Sequence, residues 1–501
     1  MKSKYILLNL FTATLLVMLI SGCKKELEYV PESYLSPEQV YADEAGAIAG
    51  ITGIYRQFQQ LKKSELGLIG NIGTDEGKTS GFVPTWGGYW LQLSSVSSYD
   101  KTQLSPQNDV LFYFWQKVYQ AIGNANIAIR YIEKGPAGEA VKTRILGEAK
   151  FLRAMGYFYL VQLWGDVPMP TEAVDPIADE NGYPRTPATD VYKLIISDLQ
   201  YAQQNLPDKS KMEKGRANKQ AAQALLGKVY LTIKDYPNAK TALDPLMSTT
   251  ETALMPNYAD LFKNDESTEN NIESLFEFQY SVESGHTQNF SEILGSWNIS
   301  GNQPGGGGQV ALPTAYAANI YPLADSARKN AALRSVYYDG NGNPGLNDWW
   351  GDVGKPHLKK YEQKPNQGSN SSTRNIYYLR YADALLMYAE VLNELGQTTQ
   401  ALTYLNKVRT RAKISNLETV MGGTPSQQQF RDSMVTERIK ELMFEGWRLF
   451  DLKRWGLFET RTKLYNTEST NNIQLPMHLL YPIPYRELIA NKAITNQNTG
   501  Y

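Results

Sequence analysis

The chain is dominated by stretches in which apolar residues recur three and four positions apart, the period of an amphipathic α-helix. Polar turns separate these stretches, and in several of them small residues such as Ala224 and Gly227 lie among large ones. Small residues at helical spacing let a second helix approach closely, so neighbouring stretches predict helical hairpins. The predicted helices are Glu38–Leu61, Val110–Glu133, Val141–Trp164, Val191–Asn205, Lys219–Lys234, Pro237–Leu246, Tyr381–Leu395 and Thr399–Ala412.

Two of the predicted hairpins follow the same pattern. In residues 219–246 and again in 381–412, a helix rich in alanine and leucine is followed by a short turn and a second helix. This interleaving of small and large residues is typical of tetratricopeptide-type repeats, whose period is about 34 residues. A single hairpin cannot bury its apolar face alone, so several must stack. The predicted fold is therefore mainly α, with degenerate and interrupted hairpins.

Between residues 265 and 375 the helical period is lost. Glycine, asparagine and serine clusters at 301–308, 339–345 and 366–372 indicate turns and loops. An irregular segment this long inside a folded protein is functional or disordered, and we favour function because it also holds several tryptophans and tyrosines. A shorter segment of the same character, residues 70–100, carries Trp86, Tyr89 and Trp90 among glycines.

The N-terminus has the layout of a bacterial lipoprotein signal peptide. Lys2 and Lys4 precede an apolar run, Ile6–Ile20, and small residues then lead to Cys23, the only cysteine of the chain. The run is shorter than the roughly 20 residues that a membrane-spanning helix requires. We expect residues 1–22 to be removed, Cys23 to be acylated, and residues 23–37 to form a lipid tether that holds the protein on a membrane.

Charge and composition narrow the function. The formal charge of the 501 residues is −1, and loss of Lys2 and Lys4 with the leader leaves −3, which disfavours nucleic-acid binding. The three histidines are far apart in sequence, so we predict no metal site. Asp339, Asn341 and Asn343 have the spacing of a calcium loop, but proline and tryptophan stand at its sixth and twelfth positions. No cofactor motif is visible either.

Acidic residues near the C-terminus invite a catalytic interpretation. Glu437, Glu441 and Glu445 recur every fourth residue, so on one helix they share a face. Glycoside hydrolysis instead needs two carboxyl groups that flank one bond across a cleft, roughly 5–9.5 Å apart. Because Arg438 and Arg448 are interleaved with these carboxylates, together with Lys440, we predict a structural ion-pair network and no catalytic residue.

The aromatic residues of the irregular segments remain as candidate ligand contacts. A neutral sugar has an apolar C–H face and a rim of hydroxyl groups, which flat rigid rings beside polar side chains can bind. The predicted ligand-binding residues are Trp86, Tyr89, Trp90, Trp297, Asn298, Asn71 and Asp75. The alternative is that these rings pack beneath long loops. Tryptophans within helical patterns are predicted to lie in the core: Trp115, Trp164, Trp447 and Trp455.

Five blocks of sequence, in order along the chain, resemble the SusD/RagB family of surface lipoproteins in Bacteroidetes-type nutrient uptake systems. The blocks are Gly147–Pro168, Gly215–Leu226, Leu379–Glu390, the Glu437–Gly456 helix, and the closing strings Tyr481–Pro484 and Gln497–Tyr501. The resemblance implies a SusD-like helical body that faces outward from the cell surface. It also implies capture of a glycan without catalysis, and docking on a SusC-like TonB-dependent outer-membrane barrel.

We expect one SusD-like domain in three parts: helical residues 38–264, loop-rich residues 265–375 on the ligand side, and helical residues 376–501 with the closing signature. Other functions remain open. The same fold could capture a peptide, or carboxylates on separate loops, such as Asp75, Glu76 and Asp348, could hydrolyse or cleave a glycan. A pure scaffold, in contrast, would bury the loop tryptophans. The identity of the glycan is not encoded in these blocks.

Overall fold

The computed structural model describes residues 35–62, 65–81, 83–173, 181–263, 266–281, 287, 293–294, 310–334, 337–338, 344–345, 356–362 and 372–501. The predictions for Cys23, Trp297, Asn298 and Asp348, and for the leader and most of the tether, lie outside these residues. Within the described ranges, no helix has both the length and the hydropathy needed to cross a membrane.

Helices form most of the N-terminal part. They are α1 (Pro37–Val40), α2 (Glu44–Lys62), α3 (Gly88–Ser98), α4 (Asp109–Lys134), α5 (Glu139–Trp164), α6 (Ala188–Asn205), α7 (Lys219–Thr232) and α8 (Tyr236–Ser248). The predicted helix Glu38–Leu61 is two helices, because the chain turns at residues 41–43. A capping box between Ser36 and Gln39 fixes the start of the first one.

The remaining helices belong to the middle and C-terminal parts. They are α9 (Ala315–Asn319), α10 (Ser326–Ala332), α11 (Tyr381–Glu394), α12 (Thr398–Arg411), α13 (Leu417–Met421), α14 (Gln427–Leu442), α15 (Arg448–Trp455), α16 (Phe458–Tyr465) and α17 (Tyr485–Ala490). Most predicted helix ends agree with the structure to within three residues. The prediction of a mainly α fold is confirmed.

Strands are short and pair in twos, all antiparallel. They are β1 (Gly77–Thr79), β2 (Val167–Pro168), β3 (Arg185–Thr186), β4 (Ser274–Phe278), β5 (Ala311–Pro313), β6 (Leu333–Arg334), β7 (Tyr337–Tyr338), β8 (Pro344–Gly345), β9 (His357–Leu358) and β10 (Ile376–Arg380). The β4–β10 pair leads directly into α11, and the β1–β5 pair joins the segment before α3 to the middle of the chain.

The two predicted hairpins are α7–α8 and α11–α12, and they stack through contacts between α8 and α11. Small residues account for the close approach: a Cβ atom at Gly227 would lie 2.4 Å from Leu243 Cγ. One continuous hydrophobic cluster unites the N-terminal and C-terminal parts, with Phe58, Trp164 and Leu385 among its members. The hairpins are therefore built into a shared core.

Four tryptophans were predicted to lie in this core. Trp115, Trp164 and Trp447 are buried. Trp455 is only half-buried, at the end of α15, where its indole N–H donates to Glu390 Oε1 at 2.7 Å. The prediction is thus confirmed for three of the four.

The sequence pattern predicted one helix over Glu437–Gly456, and that prediction is wrong. The helix α14 ends at Leu442, and α15 begins at Arg448. Between them, Phe444 and Gly446 have positive φ angles of 59° and 91°. A Cβ atom at Gly70 would lie 2.1 Å from the carbonyl oxygen of Gly446, so this turn is pressed against the segment that leads to β1.

The segment 70–100 is also more regular than predicted. A 3₁₀ turn over Val83–Trp86 leads into the 11-residue helix α3. We expected no helical face here, and that expectation is wrong. Gly87, with φ 69° and ψ −174°, makes the sharp change of direction between the two elements, a conformation that is essentially restricted to glycine.

Candidate functional site

The acidic residues of the closing signature lie in a buried ion-pair network. Arg380 is 1% exposed, and its guanidinium group reaches Glu273 at 2.7 Å, Glu441 at 2.6 Å and Glu445 at 2.7 Å. Arg328, also buried, bonds to Glu437 Oε1 at 2.7 Å. Charged partners surround each carboxylate, so the predicted structural network is confirmed.

The partners in this network differ from those that the sequence indicated. The cations come from distant segments: Arg328 on α10, Lys360 after β9, Arg380 at the end of β10, and Arg409 and Arg411 on α12. The interleaved Arg438 and Arg448 turn away, toward Asp451 and Asp75.

Electrostatics keep Glu441 ionised. Burial alone raises the pKa of Glu441, but the guanidinium groups of Arg411, Arg380 and Arg328 outweigh burial and hold the pKa well below its usual range. A general acid needs the opposite shift. The network therefore joins α14 to the middle of the chain and is poorly suited to acid–base catalysis.

Two predicted ligand contacts belong to the same kind of buried architecture. Asn71 is buried, and its Oδ1 accepts a hydrogen bond from the Gly446 amide at 2.7 Å. Asp75 is 0% exposed and is held by Arg448 at 2.7 Å and Arg461 at 2.5 Å. The prediction that Asn71 and Asp75 contact ligand requires an accessible side chain, so their burial contradicts it.

The same burial affects the hydrolase alternative. Glu76 is 2% exposed, and its carboxylate accepts a hydrogen bond from the Phe444 amide at 3.0 Å. Neither Asp75 nor Glu76 presents a carboxylate to a substrate. Two of the three carboxylates proposed for that activity are thus enclosed by protein.

Three predicted ligand contacts, in contrast, lie together at the surface. Trp86 and Trp90 have ring centroids 5.1 Å apart at an interplanar angle of 80°. Tyr89 meets Trp90 at 5.8 Å and 86°. These are edge-to-face arrangements within the favourable range for aromatic pairs, so each ring restrains the next.

The sequence analysis missed one neighbour of these rings. Tyr113, near the start of α4, lies 6.4 Å from Tyr89, centroid to centroid, and is 39% exposed. We predicted the helix from its apolar period and considered no ligand contact on it. The available signal was that Tyr113 stands on the polar side of that helix, in line with Gln120 and Asn124. We define the aromatic platform as Trp86, Tyr89, Trp90 and Tyr113.

The platform continues toward the C-terminal helix α17. Phe112 lies 5.6 Å from Tyr113, and the Arg486 guanidinium stands 4.5 Å from the Phe112 ring centroid. Arg486 also donates to Asp109 Oδ1 at 3.1 Å. A charged, planar group therefore borders the platform at this end.

The platform has a rigid support and an open surface. Leu93 and Val96 of α3 are fully buried, whereas Trp86 is 39% exposed and Tyr89 and Trp90 are half-buried against the core. The scaffold alternative required buried loop tryptophans, and Trp86 does not meet that requirement. This surface has the composition expected of a site for a flat ligand that is partly apolar.

Known proteins share the architecture that carries this platform. A solved structure described as a laminarin binding SusD-like protein superposes with a TM-score of 0.78 at 24% identity, covering 92% of this chain and all of that one. The fold is therefore that of a mainly α SusD-like protein. Two family models match, "SusD family" over residues 326–501 and "Starch-binding associating with outer membrane" over residues 85–231.

Relatives match along almost the whole chain. SusD-like protein P2 of Formosa agariphila is 28% identical, over 98% of this chain and 99% of its own length. The starch-binding protein SusD of Bacteroides thetaiotaomicron is 22% identical over the full length of both. The two family models and these relatives together support membership of the SusD/RagB family.

Proposed function

We propose that the protein is a surface receptor that binds a glycan on the aromatic platform and passes it, chemically unchanged, to a SusC-like TonB-dependent outer-membrane transporter. The observation that carries this proposal is the cluster of mutually restrained rings, with Trp86 and Tyr113 each 39% exposed. The names of the starch-binding relative and the laminarin-binding neighbour support the ligand class.

The physical basis of binding is burial of apolar area. Each ring that stacks on the C–H face of a sugar removes apolar surface from water, which is worth about 1–3 kcal/mol. Association and ordering of the ligand offset part of this gain. Two or three rings then give modest affinity, which suits a receptor that must also release what it has bound.

Anchoring and transfer form the second half of the proposal. Acylation of Cys23 would hold the chain on the outer membrane, and residues 23–37 would let the folded part move over the barrel. The family model described as associating with the outer membrane supports this location. Substitution of Cys23 by alanine should release the protein from membranes, and affinity purification of the anchored form should recover a TonB-dependent barrel.

A binding experiment tests whether the protein binds a glycan and leaves it uncleaved. The purified protein is titrated with starch, laminarin and other polysaccharides, and the mixture is assayed for new reducing ends. We expect binding of at least one glycan with no increase in reducing ends. Binding of peptides alone would favour the peptide-capturing alternative, and sustained release of reducing ends would establish an enzyme.

A further inference from the structure

Beside the aromatic platform, α3 borders a cavity of about 350 Å³. Leu91, Ser94, Ser95 and Ser98 line it and recur at helical spacing, so they share one face of the helix. Asp100 and Glu468 complete the polar part of the wall. We call this space the serine cavity.

The serine cavity and the platform are parts of one structural unit. Pro84 also lines the cavity and lies in the same 3₁₀ turn as Trp86, and Leu91 directly follows Trp90. A ligand that stacks on these rings therefore lies next to the cavity. Its volume is at the lower end of the range for small-molecule sites, roughly 300–1,000 Å³, which suits a single sugar unit rather than a chain.

Hydrogen-bond acceptors predominate in the wall. Glu468 Oε2 accepts from Ser97 at 2.9 Å and Thr79 at 3.2 Å, whereas Oε1 has only a long contact of 3.4 Å with Lys78 Nζ. A carboxylate has about four lone-pair directions, so Oε1 retains acceptor capacity. The segment that carries Glu468 is fixed by Asn466, whose amide group donates to the Thr74 and Gly77 carbonyls.

Asp100 and Ser98 provide further polar groups of the wall. Asp100 Oδ1 accepts from the Thr102 backbone at 3.0 Å and its hydroxyl at 2.8 Å, and among the described residues no hydrogen bond reaches Oδ2. The Ser98 hydroxyl likewise bonds to no described residue. Sugar hydroxyl groups are donors and acceptors at once, and they match this combination of carboxylate oxygens and a free hydroxyl.

We propose that the serine cavity is a subsite that takes one uncharged sugar unit, whose hydroxyl groups donate to Glu468 and Asp100. The inference rests on the proposed glycan-binding function. Among the described residues, two carboxylates and no cation line the cavity, although Lys78 partly offsets the charge of Glu468 from outside it. The subsite therefore disfavours acidic sugars, whose carboxylate or sulfate groups would face like charges.

Two variants and a control test the subsite. Ser98→Leu fills the cavity with an apolar side chain, and Glu468→Gln removes one charge while preserving the shape of the side chain. Ser433→Leu is the control, because Ser433 is a half-buried serine on the distant helix α14 and does not line the cavity. Affinities are measured by calorimetry for starch and laminarin as neutral glycans, and for alginate and polygalacturonate as acidic ones.

The wild-type protein should bind a neutral glycan at least several-fold more tightly than the acidic ones. Ser98→Leu should weaken neutral binding about tenfold, the effect of losing hydrogen bonds to charged groups, and Ser433→Leu should not. Glu468→Gln should narrow the preference for neutral glycans. If Trp86→Ala reduces binding while Ser98→Leu leaves it unchanged, the subsite is refuted and the platform stands. If the wild-type protein binds none of the glycans, the proposed function fails as well.

Discussion

The buried ion-pair network and the aromatic platform differ in how completely the protein encloses their side chains. Arg380 and Glu441 are chemically reactive types, but each is enclosed and bonded to several partners of opposite charge. Trp86 and Tyr113 are neutral rings that leave more than a third of their surface to solvent. The charged residues of the network hold parts of the fold together, and the rings of the platform offer surface to a ligand.

The comparison predicts that the network dominates stability. Arg380→Met should lower the free energy of unfolding by about 3–5 kcal/mol, because it leaves Glu273, Glu441 and Glu445 as buried charges with fewer partners. Arg431→Met is the matched control: Arg431 pairs with Glu394 near the surface and is 41% exposed, so the loss should stay below about 1 kcal/mol. Urea unfolding measures both, and equal losses would contradict the distinction.

The pKa of the buried Glu76 should shift in the opposite direction from that of Glu441 in the network. Burial raises the pKa of Glu76 to about 8, against the opposing effect of Arg448. A carboxyl group whose pKa is higher in the folded state than in the unfolded state stabilises the folded protein most at pH values below the unfolded pKa, near 4.5. As the pH rises toward 8, this contribution to the free energy of unfolding is lost. The loss reaches up to about 3 kcal/mol at pH 7.

Glu76→Gln should not show this loss. Its free energy of unfolding, relative to the wild-type protein, should therefore increase between pH 5 and pH 8, as measured by urea unfolding at several pH values. A difference that does not change with pH would mean that Glu76 is ionised in the folded protein, like Glu441.

Trp86→Ala should affect binding rather than folding. Loss of one stacked ring should weaken glycan binding by about 1–3 kcal/mol, roughly 5- to 150-fold. Since Trp86 is 39% exposed, the free energy of unfolding should change by less than about 1 kcal/mol. Calorimetry and urea unfolding on the same preparation separate the two effects, and a large loss of stability with intact binding would place Trp86 in the core.

Tyr113→Ala should give the smallest of these effects, because Tyr113 lies at the border of the platform. We expect a two- to tenfold weaker affinity, in line with about 0.5–1.5 kcal/mol for an aromatic contact. Tyr404→Ala is the control, since Tyr404 is a half-exposed tyrosine on α12, remote from the platform in the fold. If both substitutions change the glycan affinity equally, Tyr113 does not contact the ligand.

Local patterns allowed prediction of most helices, and long-range contacts account for the errors. The bounds of α4 and α5 followed from their apolar period. The break after Leu442 did not, because it depends on Gly446 packing against Gly70. The helix α3 was missed because two glycines begin it and serines fill its last turns, and both residue types indicate loops when tertiary contacts are unknown.

For the candidate site too, local sequence predicted part of the residues and long-range contacts decided the rest. Trp86, Tyr89 and Trp90 are close in sequence and were identified together, whereas Tyr113 joins them only because α3 packs on α4. Asn71 and Asp75 were chosen because they are close to Trp86 in sequence. In the fold, both side chains are buried: Asn71 bonds to Gly446, and Asp75 bonds to Arg448. Sequence distance is a poor guide to exposure in such a segment.

A crystal structure of the protein with a bound oligosaccharide tests the central claim most directly. The oligosaccharide is derived from whichever polysaccharide the protein binds. We predict that sugar rings stack on Trp86 and Trp90 and that every glycosidic bond is intact. A ligand bound elsewhere on the protein, with the platform empty, would contradict the account.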